Sequence, residues 1–216
     1  MERETLNFTE TLHDAFSIGR KNAPSLVGAL LLWLITIWIP YLNVGTTIAI
    51  FLLPTELAKG NVINPLGIFD SKYRRYMGEY LLTVMLRRMV IFGFLFIPFV
   101  PIVLSYAWSL STYFLFEKGK NPIAAIKASN DATYGSKWTM FGISLLFSLF
   151  CLCVVGGILL LFDIGMETIF DRAGEATIVF FVLIFIIAMI AALLWLASVS
   201  VAIKASYWRQ LKDNVA

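Results

Sequence analysis

The sequence predicts an all-α polytopic membrane protein, with six transmembrane helices arranged as three hairpins and a cytoplasmic interfacial amphipathic helix before each. Three observations predict it. The chain of 216 residues is 59% hydrophobic and only 14% charged, against about 25% charged in soluble domains. Residues 22–55 and 89–116 contain no charge at all, and each run is too long for one crossing of a ~30 Å hydrocarbon core at ~1.5 Å per residue. Prolines cut both runs, at Pro40 and at Pro98 and Pro101, because proline removes a backbone donor and biases the preceding residue away from the helical region. The whole of 1–216 therefore reads as a single membrane domain.

In chain order, Asn7 and Glu10 form the start signal of a first helix over 7–20, with the asparagine as cap. Phe8, Leu12, Ala15, Phe16 and Gly19 fall on one side of it, and Glu10, His13, Asp14 and Ser17 on the other, as in a helix lying on a membrane. Residues 1–21 mix acids and bases without an apolar core, so no signal peptide is expected. Spans follow at about 24–40 and 44–58, reversed by a turn in which Asn43 and Gly45 suit a tight bend. Asn64-Pro65 opens a second amphipathic stretch with Leu66, Phe69, Tyr73, Tyr76, Met77 and Tyr80 on one face. The central hairpin comes next, with arms at about 80–97 and 101–118. Asn121-Pro122 opens a third amphipathic segment in which Ile123, Ile126 and Tyr134 align. The last spans are expected at 138–162 and 176–204. The interval from Asn64 to Gly78 equals that from Asn121 to Gly135, a weak internal repeat of interfacial helix followed by hairpin.

Threading follows from the basic residues. Sixteen of the seventeen Lys and Arg lie on the side of the termini and the interfacial segments, and Arg172 alone on the other, which places both termini in the cytoplasm and the three turns outside.

Residues 121–138 carry Pro122, Ala125, Ser129, Gly135 and Trp138 in a spacing that, with the Ile39-Pro40-Tyr41-Leu42-Asn43 turn, resembles the YciC-like proteins and the membrane domain found beside some glycerophosphodiester phosphodiesterases, six-helix prokaryotic membrane families. The resemblance implies a polytopic membrane module and supplies no catalytic residues. A phosphodiesterase domain is absent from the chain, so that activity is not carried over.

Candidate sites are sparse. Arg87 and Arg88 enter a span from the cytoplasmic side and, with Lys72, Arg74 and Arg75, are candidates for holding anionic lipid head groups; the competing reading is interface anchoring. Ser105, Ser109 and Thr112 share a helical face and read as a packing face or as a polar conduit. Asp163, Glu167, Asp171 and Glu175 place an acid every fourth residue in an outer acidic loop. A weak divalent-cation or cationic-partner site there is set against a merely solvated loop. The lone His13 reads as surface. Gly156-Gly157 suggests close helix approach. Cys151 and Cys153 point about 200° apart on a helix, which disfavours a shared metal. No metal, cofactor or nucleic-acid partner is expected, and no enzymatic constellation is found. The function expected is a non-catalytic membrane module contacting lipids, anionic ones included, or a partner membrane protein. The alternative is an oligomeric channel or transporter built from copies of this chain, against which stands the lack of ionisable groups near any span centre.

Overall fold

The computed structural model describes residues 4–170 and 174–215 and is all-helical, with no strand among the described residues. Its helices are α1 (Phe8–Thr36), α2 (Leu42–Ala58), α3 (Lys72–Arg75), α4 (Met77–Gly93), α5 (Val100–Ala107), α6 (Ser111–Glu117), α7 (Pro122–Ala132), α8 (Lys137–Phe170) and α9 (Glu175–Leu211), with a 3-10 turn at Pro65–Phe69 before α3. Two of them, α8 and α9, are long and apolar enough to cross a membrane by length and composition, and α2 is a shorter apolar helix.

Six uninterrupted spans are not what the chain forms. The interfacial helix expected over 7–20 and the span expected over 24–40 fuse into α1, twenty-nine residues that run through Pro24. Tertiary packing explains the fusion. Part of the polar side of α1 meets the end of α9: Ser206 Oγ donates to Asp14 Oδ2 at 2.8 Å, Arg209 pairs with Asp14 and Glu10, and Gln210 Nε2 donates to Thr11 Oγ1. Asp14 is buried, and Gly19 lies against Val199 and Ala202. Asp14 therefore meets protein where water was expected, while Glu10, His13 and Ser17 stay exposed. The chain ends join the same clasp, since Asn214 Nδ2 donates to the Glu4 carbonyl and Glu4 N–H to Asn214 Oδ1.

The arm expected over 101–118 is also broken. It divides into α5 and α6 around Trp108–Leu110, which leaves carbonyls without helical partners. Ser129 on α7 repairs the break: its hydroxyl donates to the Ala107 carbonyl at 2.8 Å and accepts from Leu110 N–H at 3.1 Å. Thr133 Oγ1 adds a bond to the Ala107 carbonyl at 3.3 Å. The stretch after Asn64 is not one amphipathic helix either; it buries Ile68, Tyr73 and Tyr80 but leaves Leu66 exposed.

Helix α7 shows the opposite face from the one its apolar spacing suggests. Ile123 and Tyr134 are exposed, while Ala125, Ala128, Ser129 and Ala132 are buried. Small side chains permit close helix approach, so they, and not the large ones, form the contact. Gly156 and Gly157 face open space, whereas Gly165 is where the Phe181 ring comes close.

The two hairpin tips are built alike. Tyr41 and Phe99, each following a proline, adopt positive φ of 69° and 68°. In each, the next N–H bonds back to the proline carbonyl at 2.9 Å, Leu42 to Pro40 and Val100 to Pro98. Non-glycine residues seldom occupy this region. Asn43 does hold its turn, donating to the Ile37 carbonyl at 2.8 Å, but Gly45 lies inside α2 under the aliphatic stem of Arg74. The three asparagines expected to start helical segments do so: Asn7, Asn64 and Asn121 accept from the N–H groups of Glu10, Leu66 and Ala124. The repeat goes no further, because Gly135 has a φ of +85° and Gly78 does not share it.

A candidate cationic cavity

A cavity of about 420 Å³ opens between α4, the α5/α6 break, α8 and α9. Helix α4 contributes Tyr80, Arg87 and Arg88 to its wall, with Val84 and Ile91 completing the stripe at helical spacing. Ser105, Ser109 and Thr112 all line it, together with Tyr106 and Tyr113. Helix α8 adds Met140 and Ser144, and α9 adds Lys204 and Tyr207.

No carboxylate lines this cavity. Three cations face it, and among the described residues only Arg87 has a hydrogen-bond partner: its Nη1 donates to the Trp108 carbonyl at 3.0 Å and more weakly to Ser111 Oγ at 3.4 Å. That carbonyl, at the α5/α6 break, also accepts from Ser111 N–H at 3.2 Å and Ser111 Oγ at 2.8 Å. Arg87 is thereby held in place, while Arg88 and Lys204 point charge into the space with no acid to neutralise it. Arg87 is half-buried, whereas Arg88 and Lys204 stay exposed at the cavity. No residue lining the cavity supplies a counter-charge. Tyr80, Tyr113 and Tyr207 are buried along the wall; the Tyr207 hydroxyl donates to the Met140 carbonyl at 3.4 Å, and the phenols of Tyr80 and Tyr113 can donate to an anion. The serines bond their own helices, Ser105 to the Pro101 carbonyl at 2.7 Å and Ser109 to that of Tyr106 at 2.8 Å, and keep their oxygen lone pairs for a ligand or water. The arrangement can bind an anion; it offers no nucleophile paired with a base.

The structure thus divides the five basic residues singled out in the sequence. Arg87 and Arg88 are brought together with Ser105, Ser109 and Thr112. Lys72, Arg74 and Arg75 are not part of the cavity: Lys72 pairs with Asp70 at 3.8 Å and lies over the Tyr73 ring at 4.9 Å, Arg74 packs on Gly45, and Arg75 is exposed. The acidic outer loop is largely helix. Asp163 and Glu167 are exposed on α8 and Glu175 opens α9, while Asp171 lies outside the described residues. Among the described residues no group of three or more His, Cys, Asp or Glu could hold a metal ion.

Lys204 is the residue that sequence reasoning missed, having been assigned to the end of a span. A signal was present, since Lys204 and Tyr207 lie three residues apart on one face of α9, and Tyr80, Val84 and Arg87 lie four and three apart on one face of α4. Which faces meet was not in the sequence. Compared with known proteins, the chain matches no family model, no curated protein and no solved structure.

Proposed function

We propose that this protein is a non-catalytic, multi-pass membrane module that holds the head group of an anionic membrane lipid between Arg87, Arg88 and Lys204. The observation that carries the reading is the absence of any acid from a cavity with three cations on its wall. The membrane setting is supported by α8 and α9, whose apolar central stretches are not buried by protein. Leu145, Leu149, Leu152, Leu160 and Ile187 are all exposed along them, and apolar surface of that extent needs a covering. The three-hairpin threading, with six membrane-embedded segments and both termini in the cytoplasm, is favoured by the distribution of Lys and Arg and by the hydrogen bonds that tie Glu4 to Asn214 at one end of the bundle.

Lipid retention tests the site. After purification in mild detergent, Lys204→Gln and Arg87→Gln are expected to lose co-purifying anionic lipid by mass spectrometry, about fivefold per charge at ~1 kcal/mol, and the triple change of Lys72, Arg74 and Arg75 to Gln is not. The reverse pattern would move the site to the α3 region. Threading is tested in a Cys151→Ala, Cys153→Ala background. A cysteine at Thr168 should react with an impermeant thiol reagent from outside and one at Lys118 should not; labelling of both from one side ends the three-hairpin arrangement.

A second reading, transport of an anion, draws on the α5/α6 break. Discontinuous helices at membrane depth mark substrate sites in transporters, and this one lines the cavity with Ser109 beside it. Liposomes carrying the protein should then show anion flux that Ser109→Trp abolishes. Flux no higher than in empty vesicles removes this reading and leaves the binding module.

A further inference from the structure

Resting on that binding reading, we infer that the ligand is a phosphate-monoester lipid, its doubly charged head group in the cationic cavity and a hydrocarbon chain in the groove beside it. The head-group class follows from charge. A phosphodiester head carries one negative charge on its phosphate, whereas a monoester carries nearly two at neutral pH because its second pKa is about 6. It also presents three oxygens to donors. Three cations with no carboxylate among the lining residues are better neutralised by the dianion.

The chain's position follows from what adjoins the cavity. A second hollow of about 320 Å³ is lined by Phe99, Ile102, Val103, Trp138 and Phe141, and Tyr106 lines both it and the cationic cavity. The Tyr106 and Trp138 rings both meet Phe141 edge to face, at 6.2 Å and 6.0 Å, so one wall of the hollow is aromatic and continuous with the head-group site. Lys137 at its rim is engaged, donating to Asn130 Oδ1 at 2.9 Å and lying over the Tyr134 ring at 5.8 Å. A ligand bridging the two spaces has to be charged at one end and apolar at the other, and a lipid with an anionic head is that ligand.

The test uses the full chain in nanodiscs of zwitterionic lipid, titrated with dioctanoyl phosphatidate, phosphatidylglycerol or phosphatidylcholine and with inorganic phosphate, and read by native mass spectrometry. At pH 8 phosphatidate is expected to bind at least fivefold more tightly than phosphatidylglycerol. The gap should narrow at pH 5.5, where the monoester carries one charge. Val103→Trp adds bulk at an exposed groove position; it should weaken both anionic lipids about tenfold and leave inorganic phosphate unchanged. Equal binding of phosphatidate and phosphatidylglycerol at pH 8 overturns the head-group class, and unchanged lipid binding by Val103→Trp overturns the chain site. Phosphatidylcholine binding as tightly as both anionic lipids is a different failure, that of the anionic-lipid reading itself.

Discussion

Five residues apart on α9, Arg209 and Lys204 meet opposite treatments. Arg209 enters a clasp with α1 in which Asp14 and Glu10 pair with it, while Ser206 donates to Asp14 and Gln210 to Thr11 beside it. Lys204 enters a cavity that it shares with Arg87 and Arg88 and no acid. At ~100° per residue the two side chains point about 140° apart, so one helix serves both regions. The clasp is complete within the chain and joins its ends. The cavity has no acid of its own, and on the proposed reading an anion from outside the chain supplies the counter-charge.

The largest effect should come from breaking the clasp. Asp14→Ala removes a buried carboxylate and strands Arg209 on Glu10 alone. A fully buried pair loses ~3–5 kcal/mol when one partner goes; with 38% of the Arg209 side chain exposed, about 2–3 kcal/mol is expected from thermal unfolding in detergent. Lys204→Met in lipid-stripped protein should do the reverse, leaving stability unchanged or raising it by up to ~1 kcal/mol. Equal losses in the two variants would abolish the distinction between clasp and cavity.

Next comes the frame of the cavity. Ser129→Ala leaves the Leu110 N–H unpaired and the Ala107 carbonyl with Thr133 as its remaining side-chain donor, in a site closed to water. A loss of about 2 kcal/mol is expected from two such bonds, together with weaker lipid retention because the α5/α6 break carries the cavity wall. Full stability and retention would show that the break needs no support from α7. The hairpin tips rank below this. Tyr41→Ile and Phe99→Ile place β-branched residues at positive φ and should each cost ~1 kcal/mol; sharply unequal costs would mean that the two turns are not equivalent.

The smallest effect belongs to an exposed pair at the end of α2. Lys59 bonds Glu117 and Glu56 at 2.8 Å and 3.2 Å. Burial would lower its ammonium, but the hydrogen bonds and charges of those two acids outweigh burial and hold it above the ordinary lysine value. Its contribution is therefore fully present below the unfolded pKa of about 10.4 and is lost as pH rises through the higher folded value. With 43% of the side chain exposed, Lys59→Gln should cost no more than ~0.5 kcal/mol at pH 8, and the difference from wild type should vanish by pH 12. A difference that grew with pH would reverse the sign of the linkage.

Local signals in the sequence survived where the physics is local. The asparagine caps, the proline-centred hairpin tips and the apolar length of α8 and α9 depend on residues a few positions apart, and all were legible. The divided arm at Trp108 was not, because the bonds that stabilise it come from Ser129 and Thr133 some twenty residues on. Helix α7 misled for another reason: apolar periodicity marks a core where water is the alternative, and here the large side chains face outward while alanines make the contact. The cavity was half legible: Arg87 with Arg88 and, separately, the face of Ser105, Ser109 and Thr112 stood out, but nothing local joined the two groups or added Lys204 to them. By itself the sequence determined an all-helical, predominantly apolar chain with its turns at prolines, for those properties follow from composition and backbone chemistry. Only the tertiary structure decided which cations would find acids and which would not, because charge pairing depends on which helix faces meet across the bundle.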